Sequence, residues 1–518
     1  MKRFARASLA AMLPLALAAC MTVGPDHKVP DDAVVKSSAA NGPFAGTDSD
    51  AVSIGDVPND WWRLYDDPRI DELVQQALVA NTDLRVAAAN LKRSIAVYHE
   101  VEAENLPETK FRASAERGQI AGEPLLHEEK IPVMNFGDIG LNVSYLIDFW
   151  GKLKRADEAA LASAQASHAA LDQARVGVVA ETVRAYVQGC TATHELHVAA
   201  HQLDLQERGV KLAQKLVDAG RGQPTDLLRA EAQADTLRSA LPKYRAEQEG
   251  AAYRLAVMLG KPPTALDVSS VACEHVPALK QALPVGDGMA LLKRRPDVRQ
   301  AERELASATA KIGVATADLF PQIRIGASAG FTGILDHLGQ APTAHWGWGP
   351  AISWTIPTSG TRARIHNMEY GAEGALAHFD GVVLKALRET QTALSAYTHE
   401  LDRNASLRSA RDKANEAARQ NRLLWQAGRS PYLQSLDADR TLANTDAALA
   451  ASDAQVAMDQ INLFLALGGG WQNAPAIASH PVGKEPGQAT EHTEEHWGAL
   501  RNNKVSFGLG HALAALSN

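Results

Sequence analysis

Apolar and polar positions follow two periods along this 518-residue chain. From "WWRLYDDPRIDELVQQAL" onward, apolar residues recur every three to four positions, which stripes one face of an α-helix. Such runs predict helices over 70–104, 152–219 and 225–259, and again over 287–318, 361–427 and 432–467. At 1.5 Å per residue the two longest span about 100 Å and the others about 50 Å, so two short helices end to end match one long helix. The expected layout is a rod with the long helix along its full length. One short helix returns from the far tip to the middle. The other runs from the middle to the near end.

Four segments alternate strictly instead. In "KFRASAER", Phe111, Ala113 and Ala115 share one face, and Lys110, Arg112, Ser114 and Glu116 the other. "IGLNVSYLID" sets Ile139, Leu141, Val143, Tyr145 and Ile147 against Gly140, Asn142, Ser144 and Asp148. "QIRIGASAGF" and "WGWGPAISWTIP" repeat the pattern, with Trp346, Trp348, Ile352, Trp354 and Ile356 on the apolar side of the last. Segments of about ten alternating residues are the signature of membrane β-strands. Tyr145, Trp150, Trp346, Trp348 and Trp354 suit an interfacial girdle. A soluble antiparallel sheet packed on a core is the bland alternative. In lipid, four strands cannot close and an open edge is excluded, so copies must associate. Two copies would give eight strands with a filled bore, and three would give twelve with an aqueous passage, which favours a trimer.

The order of elements occurs twice. "VDAGRGQPTDLLRAEA" (217–232) and "WQAGRSPYLQSLDADR" (425–440) place Gly220 and Gly428 208 residues apart. "VMLG" and "LALG" keep that offset, and "ANTDLRVAAANL" matches "RRPDVRQAEREL" at 214. Residues 70–265 and 287–468 therefore read as two copies of one unit, joined by a linker over 266–286. Gly428 sits where a helix C′ residue in the left-handed region belongs, and Gly220 is its counterpart in the repeated turn. Ser430 is the expected N-cap of the next helix, with Pro431 its first residue.

The ends differ from the body. Lys2, Arg3 and Arg6 precede the apolar run "ASLAAMLPLALAA", too short for a stop-transfer helix, so 1–19 read as a signal peptide. The run ends in "LAAC", which resembles a bacterial lipobox and implies that Cys20 becomes the lipidated first residue, facing outer-membrane lipid. Residues 20–69 read as an N-terminal lipid-anchored strap rich in Pro, Gly, Asp and Ser. Residues 469–518 form a polar tail of disordered composition. Removing three basic residues takes the net charge from −8 to −11, so nothing points to nucleic acid. Cys190 and Cys273 have no metal spacing and make no disulfide framework, so buried or idle thiols are expected.

With these features assembled, the chain resembles the outer-membrane efflux protein family, the TolC-like channel-tunnels, in the lipoprotein (NodT-type) branch serving RND pumps. The resemblance covers nearly all of 20–471. It rests on "CMTVGPDHKVP", "WWRLYDDPRIDELVQQAL", "LLKRRPDVRQAE", "LFPQIRIGASAG", "WGWGPAISW", "YLQSLDADRTLA" and "LALGGGW". It implies a mainly α fold with a small β part. Long helical hairpins would join four transmembrane strands per chain, closing as a twelve-stranded barrel in a homotrimer. The implied partners are a periplasmic adaptor (membrane fusion) protein, which would contact the hairpin turns at Gly220 and Gly428, and an inner-membrane RND pump. The implied function is export of small molecules such as drugs, toxic compounds or metals. Matching motif to motif, the periplasmic gate falls on Leu433, Asp437 and Arg440, whose spacing puts them on one helical face. Gln434 stands where many relatives carry Asp, and His27 where Tyr is usual. The first hairpin lacks the stripe, with Thr225, Arg229 and Ala232 in the matching places.

Other chemistry is sparse. His194, His197 and His201 lie at helical spacing, and the last two could bind a metal, but a polar stripe explains them as well. No nucleophile constellation, phosphate loop or nucleotide fingerprint is present, so neither an enzyme nor a cofactor is expected. Two alternatives stay open. One is the exit duct of a type I protein-secretion system. The other is a lipid-anchored structural coiled-coil protein of the envelope, which leaves the strands unexplained.

Overall fold

A computed structural model describes residues 22–47, 49–119, 131–273, 275–279 and 281–477. The expected signal segment, Cys20 and the tail beyond 477 lie outside them. The chain is mainly helical with a small sheet. Its elements are β1 (Val52–Ser53), α1 (Pro68–Ala80), α2 (Thr82–Ala103), β2 (Glu108–Gly118), β3 (Met134–Ile147), α3 (Lys152–Asp218), α4 (Pro224–Met258), β4 (Leu283–Pro284), α5 (Gly288–Arg294), α6 (Pro296–Ala317), β5 (Gln322–Ile334), β6 (Ala344–Ser353), α7 (Ser359–Gln426) and α8 (Tyr432–Leu467). Helices α3 and α7, of 67 and 68 residues, stand where the two longest runs were expected.

The 35-residue helices expected over 70–104 and 287–318 are each broken in two. Asn81 sits between α1 and α2 in extended conformation, and its side chain accepts hydrogen bonds from Asp83 N (2.9 Å) and Leu84 N (3.2 Å). That is an N-cap in the middle of an apolar stripe, and it restarts the helix. In the second half the break falls at Arg295, whose ψ of 121° is the extended value imposed on the residue before Pro296. The stripe runs through both breaks because neighbouring turns still present apolar residues to the core. Periodicity alone therefore missed them.

The chain divides into two compact units. One holds the described residues up to Val29, Leu91–Ser167 and Gln300–Phe379. It contains the four-stranded sheet, in the order β2-β3-β5-β6, every pair antiparallel. Trp150 lies at the helix end of this sheet. Its ring stacks on Phe320 (4.5 Å) and its indole N–H donates to Pro321 O at 2.9 Å. The segment 22–29 is fastened here. Val23 N donates to Trp150 O (3.0 Å), and the buried Arg155 reaches Val23 O (3.1 Å) and the Asp26 carboxylate (2.6 Å). The departure His27 has a role: its Nε2 meets the buried Glu302 at 2.7 Å.

The other unit holds Pro30–Asn90, His168–Arg299 and residues from Asp380 on. Its core contains Trp61 stacked on Phe464 (4.5 Å, 16°), with Trp62, Ile70, Leu255, Leu291 and Leu292 also fully buried. Full burial of each such side chain contributes about 1.5–3 kcal/mol. β1 and β4 form a short parallel pair that joins residues 52–53 to 283–284. Cys190 and Cys273 are not idle thiols. They form a disulfide with Cα atoms 5.2 Å apart, tying a loop onto α3. The linking residues are 83 apart, too far for spacing to announce the pair. Beside them Gly189 leaves room for Val271, whose Cγ2 would lie 2.7 Å from an added Cβ.

Candidate functional site

The sheet is two-faced. Residues directly opposed across an antiparallel ladder share a face, so the register sorts all four strands together. One row is Phe111, Leu141, Ala329 and Trp346, and the next is Thr109, Val143, Ala327 and Trp348. This apolar face is bare: Trp346 is 79% exposed, Trp348 77% and Phe111 68%. Leaving those side chains in water forfeits on the order of 25 cal/mol per Å² of apolar area, so the face belongs against lipid or protein. The opposite face carries Lys110, Asn142, Ser328 and Gly347 in one row and Arg112, Gly140, Gly330 and His345 in the next. Trp354, expected within the last strand, falls just past its end, where its indole N–H donates to Leu319 O at 3.0 Å. β2 and β6 are the two outer strands, and neither has a second strand partner among the described residues.

The two tips share one backbone design. After α3, Gly220 takes φ 67°, and Arg221 N and Gly220 N bond Leu216 O (2.8 Å) and Val217 O (2.9 Å). After α7, Gly428 takes φ 67°, and Arg429 N and Gly428 N bond Leu424 O (2.8 Å) and Trp425 O (2.9 Å). This pair of bonds is the Schellman cap, which needs a residue without a Cβ penalty in the left-handed region. Ser430 does not cap the following helix. Pro431 is the N-cap residue, no side chain caps it, and Ser430 Oγ is buried without a hydrogen bond.

Beyond the second tip the structure brings Asp437 and Arg440 together at 2.7 Å, both well exposed, one turn on from Leu433, which is 44% exposed. Beyond the first tip Asp226 and Arg229 pair more loosely, at 3.7 Å. Sequence reasoning missed what holds the second tip. Tyr432 Oη donates to Gly209 O on α3 at 3.2 Å, and its ring lies 5.3 Å from that of Trp425. Arg422 pairs with Asp439 at 3.0 Å; burial pushes the Asp439 carboxyl up, against the pull of that guanidinium. The one signal in the sequence was Gly209 itself, a glycine inside a long helix marking a close approach. His194, His197 and His201 lie on α3, and no cluster of three possible metal ligands occurs among the described residues.

The helix breaks form a matched pair as well. Asn81 Nδ2 donates to Met258 O, near the end of α4, at 3.2 Å. Arg295 lies 214 residues later, and its guanidinium donates to Ala466 O, 208 residues after Met258, at 2.8 Å. Arg295 also pairs with Asp297 (2.6 Å) and Glu389 (2.9 Å). Next to it Arg294 donates to Leu467 O (2.8 Å), and burial pushes its guanidinium down to about 10. Nearby, Asp172 of α3 is fully buried between Arg175 (2.8 Å), His168 (3.4 Å) and Arg299. Burial raises its carboxyl, but His168 and the two guanidinium groups outweigh that and hold it below the ordinary value.

No helix among the described residues is long and apolar enough to cross a membrane, whereas the sheet presents an uncovered apolar face. That combination defines a class of membrane protein that meets lipid through strands and water through helices. Comparison with known proteins narrows the class. The sequence model of the outer membrane efflux protein family matches residues 73–261 and 289–469. Nodulation protein T of Rhizobium leguminosarum bv. viciae is 28% identical over 472 residues, which are 91% of this chain and 94% of that protein. Cation efflux system protein CusC of Escherichia coli O6:H1 is 27% identical over 473 residues, 89% of this chain and 99% of that one. The solved outer-membrane channel OprN superposes with a TM-score of 0.81 at 35% identity, over 87% of this chain and 99% of that one. The chain belongs to the outer membrane efflux protein family. It is an efflux channel component of the outer membrane.

Proposed function

We propose that three copies close their sheets into one twelve-stranded barrel and that the assembly is the outer-membrane duct of a tripartite RND-type system. The sheet carries this reading. Its apolar face and two unpaired outer edges suit lipid only if each β2 meets the β6 of another copy. A periplasmic adaptor would engage the turns at Gly220 and Gly428, and an inner-membrane RND pump would supply the cargo. Small toxic molecules or metal cations suit a water-filled passage lined by Gly, Ser, Asn and charged residues. Cys20 would carry the lipid anchor. Leu433, Asp437 and Arg440 would close the periplasmic end, the leucines excluding water and the ion pairs linking neighbouring copies.

Detergent-extracted full-length protein tests the assembly. Native mass should equal three chains, and the same sample should conduct in a planar bilayer. A stable monomer that conducts would refute the barrel. Mass spectrometry of the mature chain should show an acylated peptide beginning at Cys20, and an unmodified start elsewhere would remove the anchor.

A further inference from the structure

Behind the second tip, α3, α4, α7 and α8 frame a cavity of about 210 Å³ that is partly open to solvent. Leu205, Leu237, Leu436 and the rings of Trp425 and Tyr432 line it. The two rings meet at 5.3 Å and 58° and form an aromatic corner, which Tyr432 Oη fastens to Gly209 O at 3.2 Å. Packed helical interiors leave few voids larger than a water molecule. A void with apolar walls forfeits dispersion contacts, and a planar apolar molecule restores them. The size suits one or two fused rings, since an apolar cavity of about 150 Å³ takes benzene.

One charged pair stands in the same wall. Arg422 Nε lies 3.0 Å from Asp439 Oδ1, and both residues line the cavity. The second oxygen of Asp439 accepts no hydrogen bond among the described residues, which leaves an acceptor beside the apolar walls. Arg422 already balances the carboxylate charge. The complementary group is therefore an uncharged donor such as a hydroxyl, because a cation would lose its hydration without gaining a free counter-charge. The first tip has no such corner. At the places 208 residues earlier, Val217 and Pro224 replace the two rings, and Gln214 and Glu231 replace Arg422 and Asp439.

We propose that this cavity binds a small, uncharged, planar aromatic molecule bearing a hydroxyl group, and that the occupant holds the second tip against α3. The ring lies against Trp425, Tyr432 and the leucines, and the hydroxyl donates to Asp439. Trp425 stands at the end of α7, Tyr432 opens α8 and Leu205 lies on α3, so one occupant touches both arms of the tip and the long helix behind them. Binding shifts the tip toward this arrangement to the extent that the cavity exists only there. Every lining residue belongs to one chain, so the site does not depend on closure of the sheet into a barrel.

Isothermal titration calorimetry of the detergent-extracted full-length protein with 2-naphthol tests the site, with protein-free detergent as the blank. Binding should saturate, and the methyl ether of the same molecule, which has no donor, should bind at least about tenfold more weakly. Ala443→Leu, which fills the cavity from α8, should abolish binding. Leu237→Trp, which fills it from α4, should do the same, so the test survives if one variant fails to fold. Hydrogen exchange of the amides around Gly428 should slow when 2-naphthol is bound. No saturable binding to the unmodified protein, equal affinity for the alcohol and its ether, or undiminished binding to a folded, filled variant would each overturn the site. Binding with unchanged exchange around Gly428 would overturn its hold on the tip.

Discussion

At the break between paired helices, the two halves of the chain tie down the same carbonyl with different chemistry. In the first half the neutral amide of Asn81 does two jobs: it caps α2 and donates to Met258 O. In the second half a guanidinium, Arg295, takes the matching carbonyl at Ala466, and it brings Asp297 and Glu389 with it because a buried cation needs counter-charge. The long helices differ in the same way. Asp172 on α3 faces two guanidinium groups and an imidazole, whereas Asp380, 208 residues later on α7, accepts the backbone N–H of Val34 at 2.9 Å. The backbone geometry of a repeat thus survives a change of electrostatics. The charged solution at Arg295 is the more fragile, since removing its guanidinium takes a donor from the Ala466 carbonyl and from two carboxylates at once.

Arg295→Ala should therefore be the most damaging change, costing about 3–5 kcal/mol, because Asp297, Glu389 and a carbonyl lose their donor at a site only 5% exposed. Asn81→Ala should cost about 1–2 kcal/mol, a cap and one hydrogen bond. Denaturant unfolding of the two variants measures the gap, and equal losses would remove the contrast. Replacing Cys190 and Cys273 together by Ser should cost about 2–4 kcal/mol, and hydrogen exchange should rise first near Val271.

Asp172 gives the contrast a pH signature. Its folded value lies below the ordinary 3.8, so its contribution is complete above that pH and is lost as pH falls through the lower folded value. Asp172→Asn should be less stable at neutral pH and show a flatter stability profile across that acid window. An unchanged profile would mean that other carboxylates govern acid unfolding.

The tips provide a smaller contrast. Asp437→Ala with Arg440→Ala should raise single-channel conductance, and Asp226→Ala with Arg229→Ala should do much less, the first pair being closed at 2.7 Å and the second open at 3.7 Å. Exposed pairs contribute only about 0.2–1 kcal/mol each, so the change belongs to the width of the tip opening rather than to the stability of the fold. Equal effects at both tips would leave the gate unsupported. Smallest of all, Ser430→Ala should change stability by less than about 0.5 kcal/mol, because Ser430 caps nothing. Asp287→Ala, which removes a cap on Ala290 N (2.8 Å), should cost about 1 kcal/mol.

Much of the architecture was legible because it is periodic. The two long helices, the helix after each tip, the four alternating strands and the duplicated Ala-Gly turns are local patterns, and each reappears within a few residues of its expected place. What escaped was decided by single side chains or by distant partners. The apolar stripe does not register that Asn81 restarts a helix or that Arg295 precedes a proline. The Cys190–Cys273 bond and the Tyr432–Gly209 contact join residues 83 and 223 apart, and no local pattern links them.

The free edges of the sheet test the account most directly. β2 and β6 are three strand spacings apart within one chain, about 14 Å, which is beyond disulfide reach. Gly347 and Gly349 of β6 have room for a Cβ, with nothing closer than 3.9 Å. Lys110→Cys combined in turn with Gly347→Cys and Gly349→Cys should, on oxidation in the membrane, yield a reducible band of three covalently linked chains in at least one combination. Monomers alone in every combination, from protein that is folded and membrane-bound, would contradict closure of the sheet by neighbouring copies.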